Sequence, residues 1–419
     1  MAESLSDKLK SLGVQVGARN IPAPQKRKSF GIEDVIAGEL VQTPYGPTYQ
    51  VEEWYAQDYQ HGLIQFHLSL PMKVLTDWGR VPHLAGSGFG RLLFLDTETT
   101  GLGGGTGTFP FLIGLGYLSD KGFHLIQLLM RSPEEEAAQL FLLNQYVSQF
   151  DAIVTYNGKG FDIPLLNNRH VLNGFTSPFA QINHIDLLGL ARRLWRNRLP
   201  SRSLGNLEIE VLNVTRTQEE VPGYLIPEIY FEYLRSGDAR PLAGVMYHNA
   251  MDILSLAALY QYTAGLLEDP LGYTIPQSLD IVAIARLYEE LGMYAPAVQM
   301  YESGLSMGMP EPFFVDTLSR FAELYRKRGD WARTIELWQK AVDHHQIGAC
   351  IELAKYYEHQ QRQCDEALAW TDRAIGMVDT CISGIISRRE MQKELAHRKE
   401  RLLRKLAGKP GRPAPRSGE

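Results

Sequence analysis

Three cysteines in 419 residues, Cys350, Cys364 and Cys381, are too few and too oddly numbered for a disulfide frame, and none sits in a metal-ligand spacing. Reduced thiols in a cytoplasm are expected, and a zinc site is not. Long apolar runs are missing as well: none approaches the roughly 20 residues that span a bilayer. The opening Met1-Ala-Glu-Ser-Leu-Ser-Asp-Lys8 has no apolar core of signal-peptide length. The expectation is a soluble, cytoplasmic protein with no membrane partner. An excess of positive charge is absent too, since 42 Lys and Arg against 48 Asp and Glu leave −6. That argues against a uniformly basic nucleic-acid coat and directs attention to local gatherings of cations. What is present is 44% apolar and 10% aromatic residues, ordinary globular stock for two or three cores over this length.

The informative stretch is Arg91-Leu-Leu-Phe-Leu-Asp96-Thr-Glu98-Thr-Thr-Gly101-Leu102, an apolar run ending in two carboxylates and a glycine turn. Residues i and i+2 of a strand share a face, so a strand here makes Asp96 and Glu98 project side by side. Adjacent carboxylates repel unless a cation lies between them, and hard oxygen ligands of this kind suit Mg²⁺ or Mn²⁺. Taken alone, the pair reads equally well as a strand end facing water. Two further acidic stations follow apolar runs. Asn157-Gly-Lys-Gly-Phe161-Asp162 comes after Ala152–Tyr156, with Asp162 and Pro164 suiting a helix start. His248-Asn-Ala-Met-Asp252 opens the segment Ile253–Leu259, and its His and Asp, four apart, share one helix face.

In order and spacing, Asp-x-Glu-Thr-Thr-Gly-Leu, Asn-x-x-x-Phe-Asp and His-x-x-x-Asp resemble the three exonuclease motifs of the DEDD superfamily of ribonuclease-H-like nucleases. The Gly103–Gly107 loop, running into Phe111-Leu-Ile-Gly-Leu-Gly116, resembles the YprB-like branch, whose members carry a helical-repeat domain behind the nuclease-like one. The resemblance implies an α/β ribonuclease-H-like mixed sheet flanked by helices. It implies a metal-dependent nuclease acting on DNA or RNA, as a 3′-5′ exonuclease, with Asp96, Glu98, Asp162 and Asp252 holding two divalent ions, Mg²⁺ or Mn²⁺. It also implies Thr97 and Asn157 as substrate contacts. The chain departs from the pattern at the base. His-type members place it five residues before the last Asp and Tyr-type members four, whereas here His248 holds the four-residue slot and Tyr247 the five-residue slot. His248 is read as the base, with Tyr247 the alternative. The competing functions are a catalytically weak nucleic-acid-binding module whose repeats recruit a protein partner, and an enzyme acting on a small nucleotide.

Along the chain, residues 1–30 read as a flexible segment with the basic triplet Lys26-Arg-Lys28, and 31–88 as a small β-containing segment, strand-turn-strand around Pro44-Tyr-Gly46. The nuclease-like domain is placed at 89–268. Within it Ser119-Asp-Lys-Gly122 reads as a hairpin turn, and Ser132-Pro133-Glu134-Glu135 as an N-cap, a first-turn Pro and a capping-box Glu. Asp186 reads as a helix cap. The helix after it carries Arg192, Arg193, Arg196 and Arg198 beside Trp195. Those arginines suit either phosphate contacts on a substrate strand, assigned to Arg192, Arg193 and Arg196, or ion pairs with the acidic run 208–220. From 276 to 385 a phrase recurs: Ala285-Arg-Leu-Tyr, Ala322-Glu-Leu-Tyr and Ala354-Lys-Tyr-Tyr, each followed by a second apolar helix. Separations of 37 and 32 residues bracket the ~34-residue period of a tetratricopeptide-like helix pair, so the Tyr and Trp stripe reads as core. The remainder, 386–419, reads as a basic tail, helical and then disordered, suited to phosphate backbones or to water alone; from Arg388 on it holds 11 Lys or Arg against 4 Glu.

Overall fold

The computed structural model describes residues 30–101, 107–216, 220–272, 277–381 and 384–408. The described residues begin with α1 (Ile32–Val35), β1 (Glu39–Thr43), β2 (Gly46–Tyr55), β3 (Gln60–His61), β4 (Ile64–Gln65) and α2 (Lys73–Trp78). Then come β5 (Leu92–Thr99), β6 (Pro110–Ser119), β7 (Gly122–Leu129), α3 (Glu136–Val147), β8 (Ala152–Thr155), α4 (Asp162–Leu172) and β9 (Asn183–Asp186). Helices follow: α5 (Leu187–Trp195), α6 (Leu204–Leu207), α7 (Ile226–Ser236), α8 (Leu242–Glu268), α9 (Ser278–Glu290), α10 (Tyr294–Ser306) and α11 (Glu311–Lys327). The last are α12 (Trp331–Asp343), α13 (Ile347–His359), α14 (Cys364–Cys381) and α15 (Ile385–Ala407). The described residues divide into two compact units, one within Met1–Leu68, Gly88–Ile185 and Val211–Leu259, the other within Ser69–Ser87, Asp186–Glu210 and Tyr260–Glu419.

The first unit is built on a mixed sheet of order β1-β2-β7-β6-β5-β8-β9. The β6–β7 hairpin closes at Ser119 opposite Gly122, whose φ of +120° is open to glycine and strained for other residues. The strands read at 38–55 are β1 and β2, and they extend this sheet rather than standing beside it. β2 is ten residues long and pairs with β7 from Tyr49 to Tyr55, so its buried half completes the core. One sheet face takes Leu93, Leu95, Ile113, Leu128 and Ile153 against Leu140, Leu143 and Leu166 of α3 and α4. On the other, Tyr49, Val51, Phe111 and Leu129 meet Ile32, Tyr230, Leu242 and Val245 of α1, α7 and α8. Phe111 and Tyr230 stack at 4.0 Å, and the Tyr230 hydroxyl donates to Met130 O. Burial of this kind, about 25 cal/mol per Å² of apolar surface, is what holds the helices to the sheet.

One local expectation changes. Ser132 does not cap: Pro133–Glu135 is a 3₁₀ turn, and Glu135 instead accepts from the Arg131 backbone N–H at 2.9 Å and pairs with its guanidinium. Helix α8 is long and apolar enough by length and composition to cross a bilayer, and two thirds (67%) of its most apolar window is buried in the fold, which marks a core helix.

In the second unit α9–α10, α11–α12 and α13–α14 are the repeated helix pairs. Ala285, Ala322 and Ala354 are fully buried at equivalent places in the first helix of each. Gly292 and Gly329, with φ of +74° and +76°, follow the first two of these helices, and Arg362 takes φ +56° after the third. The stripe of Tyr288, Tyr301 and Trp338 is buried core. The basic segment in α15 is partly an anchor: Arg398, Arg401 and Lys405 surround the buried Glu358 carboxylate at 3.0, 2.8 and 2.6 Å. The Lys26–Lys28 triplet, residues 102–106 of the glycine loop and the tail from 409 lie outside the described residues.

Candidate metal centre

Strand β5 delivers side chains to both sheet faces. Its odd residues Leu93 and Leu95 enter the core under α3 and α4, so Thr97 points the same way, while Asp96 and Glu98 point to the side covered by α8. The β5–β6 register shifts between Glu98 and Thr99, a bulge that re-aims the strand end. β8 runs parallel to β5 with Val154 beside Phe94, so the segments after both strands leave at one edge of the sheet. The turn after β8 has Asn157 at φ +67°, its carbonyl accepting from the Gly160 and Phe161 N–H groups, and it leads into α4 at Asp162. There the Thr97 hydroxyl donates to Asp162 Oδ1 at 2.5 Å. Thr97 thus holds a carboxylate, and the Asn157 backbone shapes the turn that presents it.

Helix α8 supplies the other wall. Asn249 donates to Asp96 Oδ2 at 3.2 Å, and Gln127 of β7 fixes Asn249 by donating to its Oδ1 at 3.0 Å and to Met246 O at 2.8 Å. Asp96, Gly114 and Gln127 lie in one row across β5, β6 and β7. A Cβ on Gly114 would fall 2.3 Å from Asn249 Oδ1, so only glycine lets α8 come this close. One residue earlier, His248 points its Nε2 at Glu98 Oε1 (4.0 Å) and Asp252 Oδ2 (3.6 Å). Its Nδ1 lies 3.2 Å from Glu220 Oε1. Tyr247, about 100° around the helix, instead lines a cavity with Glu53, Tyr55 and Gln127.

Electrostatics explain what this arrangement wants. Burial raises the Asp96 pKa well above the ordinary carboxylate range, and the charges of Asp252, Asp162 and Glu98 push it further, against the Asn249 hydrogen bond. Burial also raises Glu98, with Asp252 and Asp162 adding and Arg216 opposing, to about 8. Glu98 Oε1 is buried with no hydrogen-bond partner among the described residues. One ligand atom each from Glu98, His248 and Asp252 falls within 4.8 Å of the others. Mutually repelling oxygens with an orphaned lone pair fit a hard divalent cation such as Mg²⁺ or Mn²⁺.

Three residues of this site were not legible as such in the sequence. Arg216 pairs with Asp252 and with Glu220 (2.5 Å) and lies 3.4 Å from His248 Nδ1. Arg216 and Glu220 belong to a stretch that reads only as an acidic run, and their four-residue spacing was the available signal. Asn249 was hidden inside the His248–Asp252 motif. The arginines Arg192, Arg193 and Arg196 belong to the second unit. Within that unit Arg193 pairs with Glu290 at 2.6 Å, and the neighbouring Arg198 with Asp280 at 2.8 Å. Asp186 caps α5 by accepting from Leu188 N–H at 3.0 Å.

A family model of the RNase H superfamily matches residues 93–264, the span from β5 into α8 that carries Asp96, Glu98, Asp162, Glu220 and Asp252. The "Uncharacterized protein YprB" of Bacillus subtilis (strain 168) is 32% identical, over 85% of this chain and 86% of its own length. With a mixed sheet flanked by helices, acids at its strand ends and a helical repeat region behind it, this chain belongs to the YprB family of RNase H superfamily proteins.

Proposed function

We propose that the chain is a metal-dependent nuclease that hydrolyses phosphodiester bonds of DNA or RNA, with 3′-5′ exonuclease polarity. The observation that carries this is the orphaned Glu98 oxygen within a group of carboxylates that raise one another's pKa. A site with no cation to hold has no physical reason to gather such groups. Asp96, Glu98, Asp162 and Asp252 would hold two divalent ions, which when bound neutralise charge on the phosphate and lower the pKa of attacking water. Nδ1 of His248 lies 3.2 Å from Glu220 Oε1 and 3.4 Å from the Arg216 guanidinium; with its proton given to Glu220, the nearer of the two, Nε2 is left to accept a proton. The water oxygen would bond to phosphorus with its proton passing to His248 Nε2, and the P–O ester bond would break with the leaving oxygen taking a proton from solvent, giving a phosphomonoester and an alcohol. Asn249 and Gln127 keep Asp96 oriented through this.

The test is incubation of 3′-labelled single- and double-stranded DNA and RNA with Mg²⁺ or Mn²⁺, and with chelator. A ladder from one end is expected with metal alone. Asp96→Asn should abolish it while leaving the circular dichroism spectrum unchanged, and full activity in that variant removes the site assignment.

A second reading, a binding module with weak or no catalysis whose repeats recruit a protein partner, draws support from Arg216. Its guanidinium already neutralises Asp252, a place where a metal would sit. Titration with Mn²⁺ decides: no uptake at up to millimolar metal favours the module.

A further inference from the structure

We propose that an arginine-lined cavity lying wholly within the second unit binds the phosphodiester backbone of a nucleic-acid strand. The cavity, about 550 Å³, is lined by Arg192, Arg193, Arg196, Arg202, Arg286 and Arg320, with Glu290 the one acid among its lining residues. Arg193 pairs with Glu290 (2.6 Å), Arg286 with Asp316 (2.6 Å) and Arg320 with Glu289 (3.3 Å), while Arg202 donates to Leu199 O and Pro200 O at 3.0 Å. Arg192 and Arg196 form no ion pair or hydrogen bond among the described residues, and both are exposed at the end of α5. Arg286 Nε is buried without a hydrogen-bond partner among the described residues. Arg192 and Arg196 add positive charge that no described carboxylate offsets, and an anion with several acceptor oxygens would neutralise it. Arginine is the residue for this, because its planar fork meets two phosphate oxygens at once.

The lining also selects among anions. No aromatic ring is among the lining residues, and Ala283 and Leu287 are its apolar members, so nothing offers a base the stacking face that a nucleotide site uses. The volume exceeds one phosphate. A run of phosphates read without regard to base fits, and the inference rests on the nuclease reading above for the source of that run.

The experiment uses the full chain in chelator, so that nothing is cut, and follows the fluorescence anisotropy of a 5′-labelled 20-nucleotide single strand across a salt series. Arg192→Glu with Arg196→Glu should weaken affinity about tenfold or more near 0.1 M salt. It should flatten the slope of log K against log salt by about 1.4, two contacts at ~0.7 each. The glutamine pair is the second variant should charge reversal disturb folding, checked by thermal melt, and the lysine pair should be intermediate. Affinity and slope unchanged in both the Glu and Gln pairs overturn the proposal. So does displacement of the strand by ATP, pyrophosphate or polyglutamate as effective, per charge, as by unlabelled strand. Hydrolysis of bis(p-nitrophenyl) phosphate with Mn²⁺ is measured beside this to test the nuclease reading separately. If none of them hydrolyses it while the affinity difference persists, the nuclease reading fails and the cavity stands.

Discussion

Glu98 is the residue on which most of the site's behaviour turns. Its carboxyl is raised to about 8, chiefly by burial and then by Asp252 and Asp162, against about 4.3 in an unfolded chain. A raised carboxyl means the folded state holds its proton longer than the unfolded state. Stability of the metal-free protein should therefore fall as pH rises from about 4.5 through 8, and level off above. A divalent ion replaces that proton, so millimolar Mn²⁺ should restore stability at pH 8. At a hundredfold excess over Kd the gain is about 2.7 kcal/mol, read as a Tm shift against a chelated control. A melt at pH 8 that metal leaves unmoved would contradict this. Gly114 is the silent counterpart. Gly114→Ala places a methyl against Asn249 and disturbs the hold on Asp96, so it should cost about 1–3 kcal/mol in urea unfolding and lower metal-dependent hydrolysis with it.

At the scale of elements, β5 and α8 form the site between them, and their sequences announce it unequally. The apolar run Leu92–Leu95 and the Asp-x-Glu that follows read as a strand delivering two acids to one face, and that is how β5 sits. In α8 the His248 and Asp252 spacing was legible, while Asn249 was not, because its partner Gln127 lies 122 residues away in the chain. Helix α15 makes the same point from the other side. Its cations suit a phosphate backbone by charge, yet Arg398, Arg401 and Lys405 converge on Glu358, which lies in α13. Burial raises the Glu358 carboxyl, but Lys405 and Arg401 outweigh it and leave it below the ordinary value. Its stabilising contribution is thus present above about pH 4.3 and lost as pH falls through the lowered value. Glu358→Gln leaves three cations facing a neutral group. Because Arg401 and Lys405 are 38% and 46% exposed, about 1–3 kcal/mol is expected rather than the full cost of breaking a buried pair, measured as a lower urea midpoint at pH 7.

For the whole molecule, a net charge of −6 conceals a division of labour: acids gather in the first unit and arginines around a cavity in the second. Chelator should therefore abolish cleavage of a labelled strand while leaving its affinity, by anisotropy in constant salt, within about threefold. A collapse of affinity on chelation would mean that the strand is held chiefly through metal. The sequence alone marked β1, β2 and β5 to β8 through apolar runs and turn residues, and the repeat helices through a period of about 34, together with three acidic stations, because such patterns are local along the chain; β9 it did not mark. Only the tertiary structure decided which side chains share a pocket. The orphaned oxygen of Glu98, the guanidinium of Arg216 beside Asp252 and the convergence of Arg192 with Arg286 and Arg320 all depend on distances between segments far apart in the chain, which the fold sets.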